Sequence, residues 1–221
     1  MPNKTAQLKH VISYYAFLLV VWGFFRALIR LPEPIEELVL KPLIWILPLV
    51  FVLKKEGGGL ESLGWTTKGL LKSIFYIVIA GGLIYEGVVI SLGLIFEDNL
   101  DKINLFTSFG AHKDVLLSGL ALSVVTAVIE ETVFRGFIFN RLNKIFNNEL
   151  FANVVSSVAW VLIHMPIFIF VYKLSPDNLV FRGLLSTVFA VASAYLFART
   201  KNIVPSVFLH IFWPWVLILL K

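Results

Sequence analysis

The chain has 221 residues, 58% hydrophobic and only 15% charged. A soluble domain has about 45–50% apolar and a quarter charged residues, so the composition excludes an ordinary soluble globular protein and indicates one integral to the lipid bilayer. The lack of cysteine removes disulfides, thiolate catalysis and cysteine metal sites, and the net charge of +5 comes from basic residues set singly among hydrophobic runs, a topology signal rather than a nucleic-acid footprint.

A membrane-crossing helix takes about 20 mainly apolar residues. In chain order the candidates are residues 11–31, 35–53, 70–96, 114–140, 151–172, 179–198 and 203–220, seven in all. Lys4 and Lys9 ahead of the first give it the charge order of a signal sequence. Its apolar run is too long for a cleaved signal, and no small-x-small site follows closely, so it reads as a retained span. The second contains Pro42 and Pro48 and is the weakest, with a re-entrant or surface helix as its alternative. No long polar segment, repeat or low-complexity tract interrupts the sequence. Residues 1–221 therefore read as one all-α domain, a polytopic transmembrane helical bundle of about seven spans.

A cytosolic N-terminus puts Lys4, Lys9, Lys54, Lys55, Lys68, Lys72, Arg141, Lys144, Arg199 and Lys201 on the cytosolic side. The opposite side then holds Arg30, Lys41, Lys102, Lys113, Lys173, Arg182 and Lys221. The larger basic group belongs inside, so the N-terminus is expected in the cytosol and the C-terminus outside, in the cell membrane if the source is prokaryotic.

Arg26, Glu86, Glu130, Glu131 and Arg135 remain within the candidate spans, together with His164 and His210. Each charge in hydrocarbon costs about 2.5–3.5 kcal/mol, so an intramembrane ionisable residue is a functional-site hypothesis when a partner can be named. Arg26 and Glu86 fall at matching depth and suggest an interhelical pair, with snorkelling to the outer surface as the alternative. In IEETVFRGF, residues 129–137, Glu131 and Arg135 are i and i+4 with the acid first, and pair along one helix face. Glu130 points about 100° away and lacks that partner. A purely structural ion-pair cluster would not need this second carboxylate.

A lone histidine on an apolar helix is usually a packing residue, but depth changes the reading here. At 1.5 Å per residue, Glu130, His164 and His210 lie roughly 16, 20 and 10 Å from the cytosolic ends of their helices. Three helices thus deliver a carboxylate and two imidazoles to one slab of the membrane. A buried carboxylate can serve as a general base, and an imidazole can orient the same water or donate to an oxyanion. Glu130, His164 and His210 could also hold Zn²⁺ with an open position for water, although no HExxH is present. Either arrangement activates a water inside the membrane, and peptide-bond hydrolysis is the reaction that most plainly needs one there.

These motifs resemble the CPBP intramembrane proteases, the family that includes the type II CAAX prenyl endopeptidases, the Abi proteins and bacteriocin-immunity relatives. EETVFRG matches the family's EExxxR signature; WVLIH stands at its FxxxH motif, with Trp160 for Phe; and His210 stands at the histidine of its HxxxN motif. LGW at residues 63–65 is also typical, and the resemblance covers about residues 60–220. It implies a helical bundle around a cytosol-facing catalytic cavity and a glutamate-dependent endopeptidase. Glu130 would activate water, His164 would share that water, His210 would stabilise the oxyanion, and Glu131 and Arg135 would hold the motif helix. No cofactor is then required, and zinc stays as the alternative. The substrate would be a membrane-anchored or lipidated, CAAX-like peptide.

One departure is Pro214, which stands where the family has Asn; proline has no side-chain donor and no N–H. Trp213, on roughly the same helix face as His210, could offer its indole N–H instead. The competing reading is a catalytically weak or inactive immunity or scaffold protein of the same fold. A small proton-linked transporter would show paired repeats, and none is found.

Overall fold

The structure, a computed structural model, describes residues 3–77, 79, 87, 91 and 119–219. Among these residues it is all-helical, as expected. Helix α1, Lys4–Leu28, starts where the Asn3 side chain accepts a hydrogen bond from the Ala6 amide at 2.8 Å. Its buried residues Val11, Tyr14, Leu18, Trp22 and Phe25 recur every three to four positions, the stripe of a helix packed on one side. The other faces carry exposed Ile12, Phe17, Val20 and Phe24. A soluble protein hides such side chains, and a lipid-facing helix displays them.

Helix α2 runs over residues 33–56 and contains two π turns, Glu36–Leu40 and Pro42–Ile46. Pro42 and Pro48 cannot donate to the helical ladder, and the second widened turn begins at Pro42 and ends before Pro48. The helix ends at Gly57, whose φ of 66° is the left-handed conformation that glycine adopts without strain. Far from lying loosely on a surface, α2 buries Glu36, Glu37, Lys41, Trp45, Leu49, Leu53 and Glu56. A 3₁₀ turn, Leu60–Leu63, and helix α3, Leu70–Tyr76, follow. Most of the third candidate span, including Glu86, and residues 114–118 of the fourth lie outside the described residues.

Helix α4, residues 119–146, is the centre of the bundle. Its π segment Thr132–Phe139 is buried on every side, the signature of a helix enclosed by others. Helix α5, Glu149–Pro166, is capped by Asn148 and extended by a π turn, Ile167–Val171, beyond Pro166. Helix α6, Pro176–Thr200, and helix α7, Val204–Leu219, complete the described chain. The backbone of α7 stays helical through Pro214. Asn202 ties the α6–α7 corner to the segment before α3 by donating to the carbonyls of Thr66 and Lys68 at 2.9 and 3.1 Å.

Among the described residues, Lys4–Leu28, Glu149–Val171 and Pro176–Thr200 are long and apolar enough to cross a membrane. The charges on the buried face of α2 set it apart from these three. Arg141 is buried rather than a surface cation: its Nε donates to Glu56 Oε2 at 2.8 Å, and His10 Nδ1 approaches the other oxygen at 3.2 Å. This cluster pins α1, α2 and α4 together at one end of the bundle.

Candidate active site

Glu130 and Glu131 are the last α-helical residues of α4 before its π segment begins at Thr132. Such widened turns recur at functional sites because they re-aim side chains without ending the helix. The segment is held by the LGW turn. A Cβ on Gly136 would lie 2.7 Å from the Leu63 carbonyl oxygen, so only glycine lets the backbones approach this closely. Trp65 Nε1 donates to Thr132 Oγ1 at 3.1 Å, and Asn140 Nδ2 donates to the Ser62 carbonyl at 2.8 Å. Trp65 of the turn and Gly136 of the helix therefore position one against the other.

Glu131 is completely buried and has three neighbours. Arg135 Nε lies 3.2 Å from its Oε2, as the i,i+4 spacing predicts. Ser193 on α6 donates to the same oxygen at 2.5 Å, and His210 Nδ1 on α7 meets Oε1 at 2.9 Å. A carboxylate only accepts, so His210 presents Nδ1–H to Glu131 and turns Nε2 towards Glu130. Glu131 thus orients a histidine as well as pairing with the arginine.

Glu130 has a different set of partners. Lys41 Nζ on α2 donates to its Oε1 at 2.6 Å. Its Oε2 faces His164 Nε2 at 3.7 Å and His210 Nε2 at 3.9 Å, and has no direct hydrogen-bond partner among the described residues. His164 Nδ1 lies 2.8 Å from the Trp160 carbonyl. That carbonyl can only accept, so the proton sits on Nδ1 and the Nε2 lone pair points at Glu130. The structure therefore brings together Glu130, His164 and His210, from three helices, around one carboxylate oxygen.

Aromatic rings wall the group. Trp160 lies against His164 at 4.5 Å, meets His210 edge-on at 5.1 Å and carries the Arg135 guanidinium over its face at 4.7 Å. Phe189 stands edge-to-face with His210 at 4.8 Å and packs on Trp213 at 5.3 Å. Trp213 therefore borders the site through Phe189.

Three contributors were missed or placed differently in the sequence reading. Lys41, counted there on the side opposite the cytosol, is buried between Glu130 and Glu37. Arg26, for which a pair with Glu86 or snorkelling to the outer surface was suggested, is buried and paired with Glu36 and Glu37; Glu86 lies outside the described residues. Ser193 is one serine among several in α6. A signal for Lys41 did exist: Glu37 and Lys41 are i and i+4 with the acid first, in the same register as Glu131 and Arg135.

The donor set fits zinc poorly. Oε1 of Glu130 already holds an ammonium at 2.6 Å, which a dication on the same carboxylate would repel. Among the described residues, no three His, Asp or Glu side chains are arranged to hold a metal ion.

Residues 112–216 match the family model described as type II CAAX prenyl endopeptidase Rce1-like. That segment contains Glu130, Glu131, Arg135, Trp160, His164, His210 and Trp213, whereas Lys41 precedes it. The chain is also 28% identical over 158 residues to the Bacillus subtilis (strain 168) protein named "Putative membrane peptidase YdiL", covering 72% of this chain and 55% of that protein. It thus spans about half the length of the curated relative it matches. No solved structure matches the chain.

Proposed function

We propose that this chain, which carries an Rce1-like type II CAAX prenyl endopeptidase domain over residues 112–216, is a multi-pass intramembrane endopeptidase. Its substrate is a membrane-anchored or lipidated, CAAX-like peptide, and its N-terminus lies in the cytosol. The observation that carries the reading is Glu130 Oε2, buried and facing two imidazole nitrogens at 3.7 and 3.9 Å. Those separations are too long for direct hydrogen bonds and suit a bridging water.

A water at that point donates one proton to Glu130 Oε2 and the other to the His164 Nε2 lone pair. Its oxygen then has a free lone pair to attack the scissile carbonyl carbon. As the C–O bond forms, the first of those protons passes to Glu130 and the carbonyl oxygen becomes an oxyanion. That oxyanion accepts from His210 Nε2–H, with Trp213 assisting. Glu130 next passes its proton to the leaving nitrogen, the C–N bond breaks, and a carboxylic acid and an amine result. A positioned base contributes about 10²–10⁴ in rate, and one oxyanion donor about 10²–10³.

Donation from Nε2 while Nδ1–H is held by Glu131 uses a doubly protonated His210 ring, and that ring lies against both Glu130 and Glu131. Pro214 supplies no donor, which leaves His210 the principal one. The mechanism uses no metal.

The test is mass spectrometry of a farnesylated C-a-a-X peptide, and of the same peptide without lipid, after incubation with the full chain in detergent. Wild type should release the C-terminal tripeptide from the lipidated peptide, and Glu130→Gln should not. No release by wild type would leave only the immunity or scaffold reading of the fold, and equal release by both proteins would take Glu130 out of the chemistry.

A further inference from the structure

Lysine is among the side chains least often buried unless paired, yet Lys41 is 3% exposed. Its ammonium is gripped from two sides, donating to Glu37 Oε2 at 2.5 Å and to Glu130 Oε1 at 2.6 Å. The rings of Trp22 and Trp45 stand 5.6 and 5.4 Å from Nζ and close off other approaches. Glu37 is itself fixed: Arg26 donates to its Oε1 at 3.2 Å and Thr126 Oγ1 to its Oε2 at 2.7 Å. A rigid frame on α1, α2 and α4 therefore delivers one positive charge to one oxygen of Glu130.

We propose that Lys41 is a positioning residue of the active site, claiming Oε1 of Glu130 so that Oε2 alone faces His164 and His210. The role rests on the reading of Glu130 as the base. A carboxylate has two equivalent oxygens and turns about its last side-chain bond, so an untethered Glu130 would present either oxygen, at varying angles. The ammonium removes that freedom. It is also the only full cation in hydrogen-bond contact with Glu130 among the described residues, and a buried carboxylate needs such a partner. Enclosed by the tryptophans, Lys41 acts through Glu130 and does not touch the substrate. Because Lys41 precedes the matched segment, α2 belongs to the functional unit and is more than a membrane anchor.

A merely structural Lys41 would dock α2 onto α4, a job that Thr126 shares through Glu37. The two roles separate in steady-state cleavage of a fluorogenic farnesylated C-a-a-X peptide by the full chain in detergent. With Glu130 no longer held, Lys41→Met should lower kcat about 10²-fold, the lower range for a positioned base, and leave KM within about twofold. Lys41→Arg, which restores charge and donor, should recover kcat to within about tenfold of wild type. Thr126→Val, which loosens Glu37 but leaves the Lys41–Glu130 contact, should stay close to wild type. If Lys41→Met does not accumulate, Lys41→Gln takes its place; its side chain is shorter by one bond and uncharged, so it gives up the grip on Glu130 Oε1 and should show the same selective loss of kcat. The proposal is overturned if Lys41→Met, or Lys41→Gln in its place, keeps wild-type kcat or loses no more than Thr126→Val. A wild type that leaves the probe intact would instead overturn the endopeptidase reading, and an active Glu130→Gln protein would overturn the reading of Glu130 as the base. An inactive Glu130→Gln beside a fully active Lys41→Met would overturn the Lys41 role alone.

Discussion

Replacing Arg135 with alanine isolates what the second charge pair of the motif contributes. The guanidinium is 1% exposed, its Nε lies 3.2 Å from Glu131 Oε2, and NH2 donates to the Ala190 carbonyl at 3.2 Å. It also covers Trp160 and Phe189 at 4.7 and 5.4 Å. Arg135→Ala removes all of these and leaves a carboxylate of zero exposure without its permanent cation. Removing one partner of a buried ion pair costs about 3–5 kcal/mol. Ser193 and His210 remain on Glu131, which places the loss near the lower bound. For a chain of this length each kcal/mol moves the midpoint about 2–4 °C, so the melting temperature should fall by about 6–12 °C. The assay is thermal unfolding in detergent of wild type, Arg135→Ala and Arg135→Ala/Glu131→Gln. The double variant should regain part of the loss, since an amide leaves no stranded charge, and should stay inactive because His210 loses its orienting carboxylate. A melting temperature for Arg135→Ala within about 2 °C of wild type would refute the argument.

Two further substitutions probe other contacts. Gly136→Ala sets a methyl group 2.7 Å from the Leu63 carbonyl and should cost about 1–3 kcal/mol as overpacking, read as a lower unfolding midpoint in the same detergent. An unchanged midpoint would mean that the LGW turn does not clamp the motif helix. Trp213→Phe keeps the ring packing on Phe189 but removes the indole donor. It should lower kcat more than it raises KM, and an unchanged kcat would take Trp213 out of the oxyanion site.

How much of this was legible in the sequence depends on the range of each signal. The Glu131–Arg135 pair is a local i,i+4 spacing, and the structure contains it. The convergence of Glu130, His164 and His210 was inferred from depth along three helices, because rise per residue converts chain position into height. Height does not fix the direction of a side chain around its helix. The second partners of Glu131, Ser193 and His210 Nδ1, were therefore invisible. Lys41 was misplaced for a physical reason: two prolines made residues 35–53 read as a marginal helix, and a marginal helix is not expected to bury charge. The same error left Arg26 without Glu36 and Glu37, and the suggested pair with Glu86 rested on depth alone. The widened turn that carries EETVFRG has no signature in hydropathy, because Val, Phe and Ile suit an ordinary α-helix equally well.

The account rests on Glu130 as a metal-free general base, and one measurement bears on that directly. Cleavage of the farnesylated C-a-a-X peptide is followed for wild type and Glu130→Gln, each with and without excess EDTA, after both proteins are shown to unfold at similar temperatures. The amide is nearly isosteric and still faces Lys41, His164 and His210, but it cannot accept the water's proton. The account predicts a rate for Glu130→Gln lower by about 10²–10⁴, the share of a positioned base, and a wild-type rate unaffected by the chelator. Glu130→Gln cleaving at the wild-type rate, or wild type silenced by EDTA and restored by zinc, would contradict it.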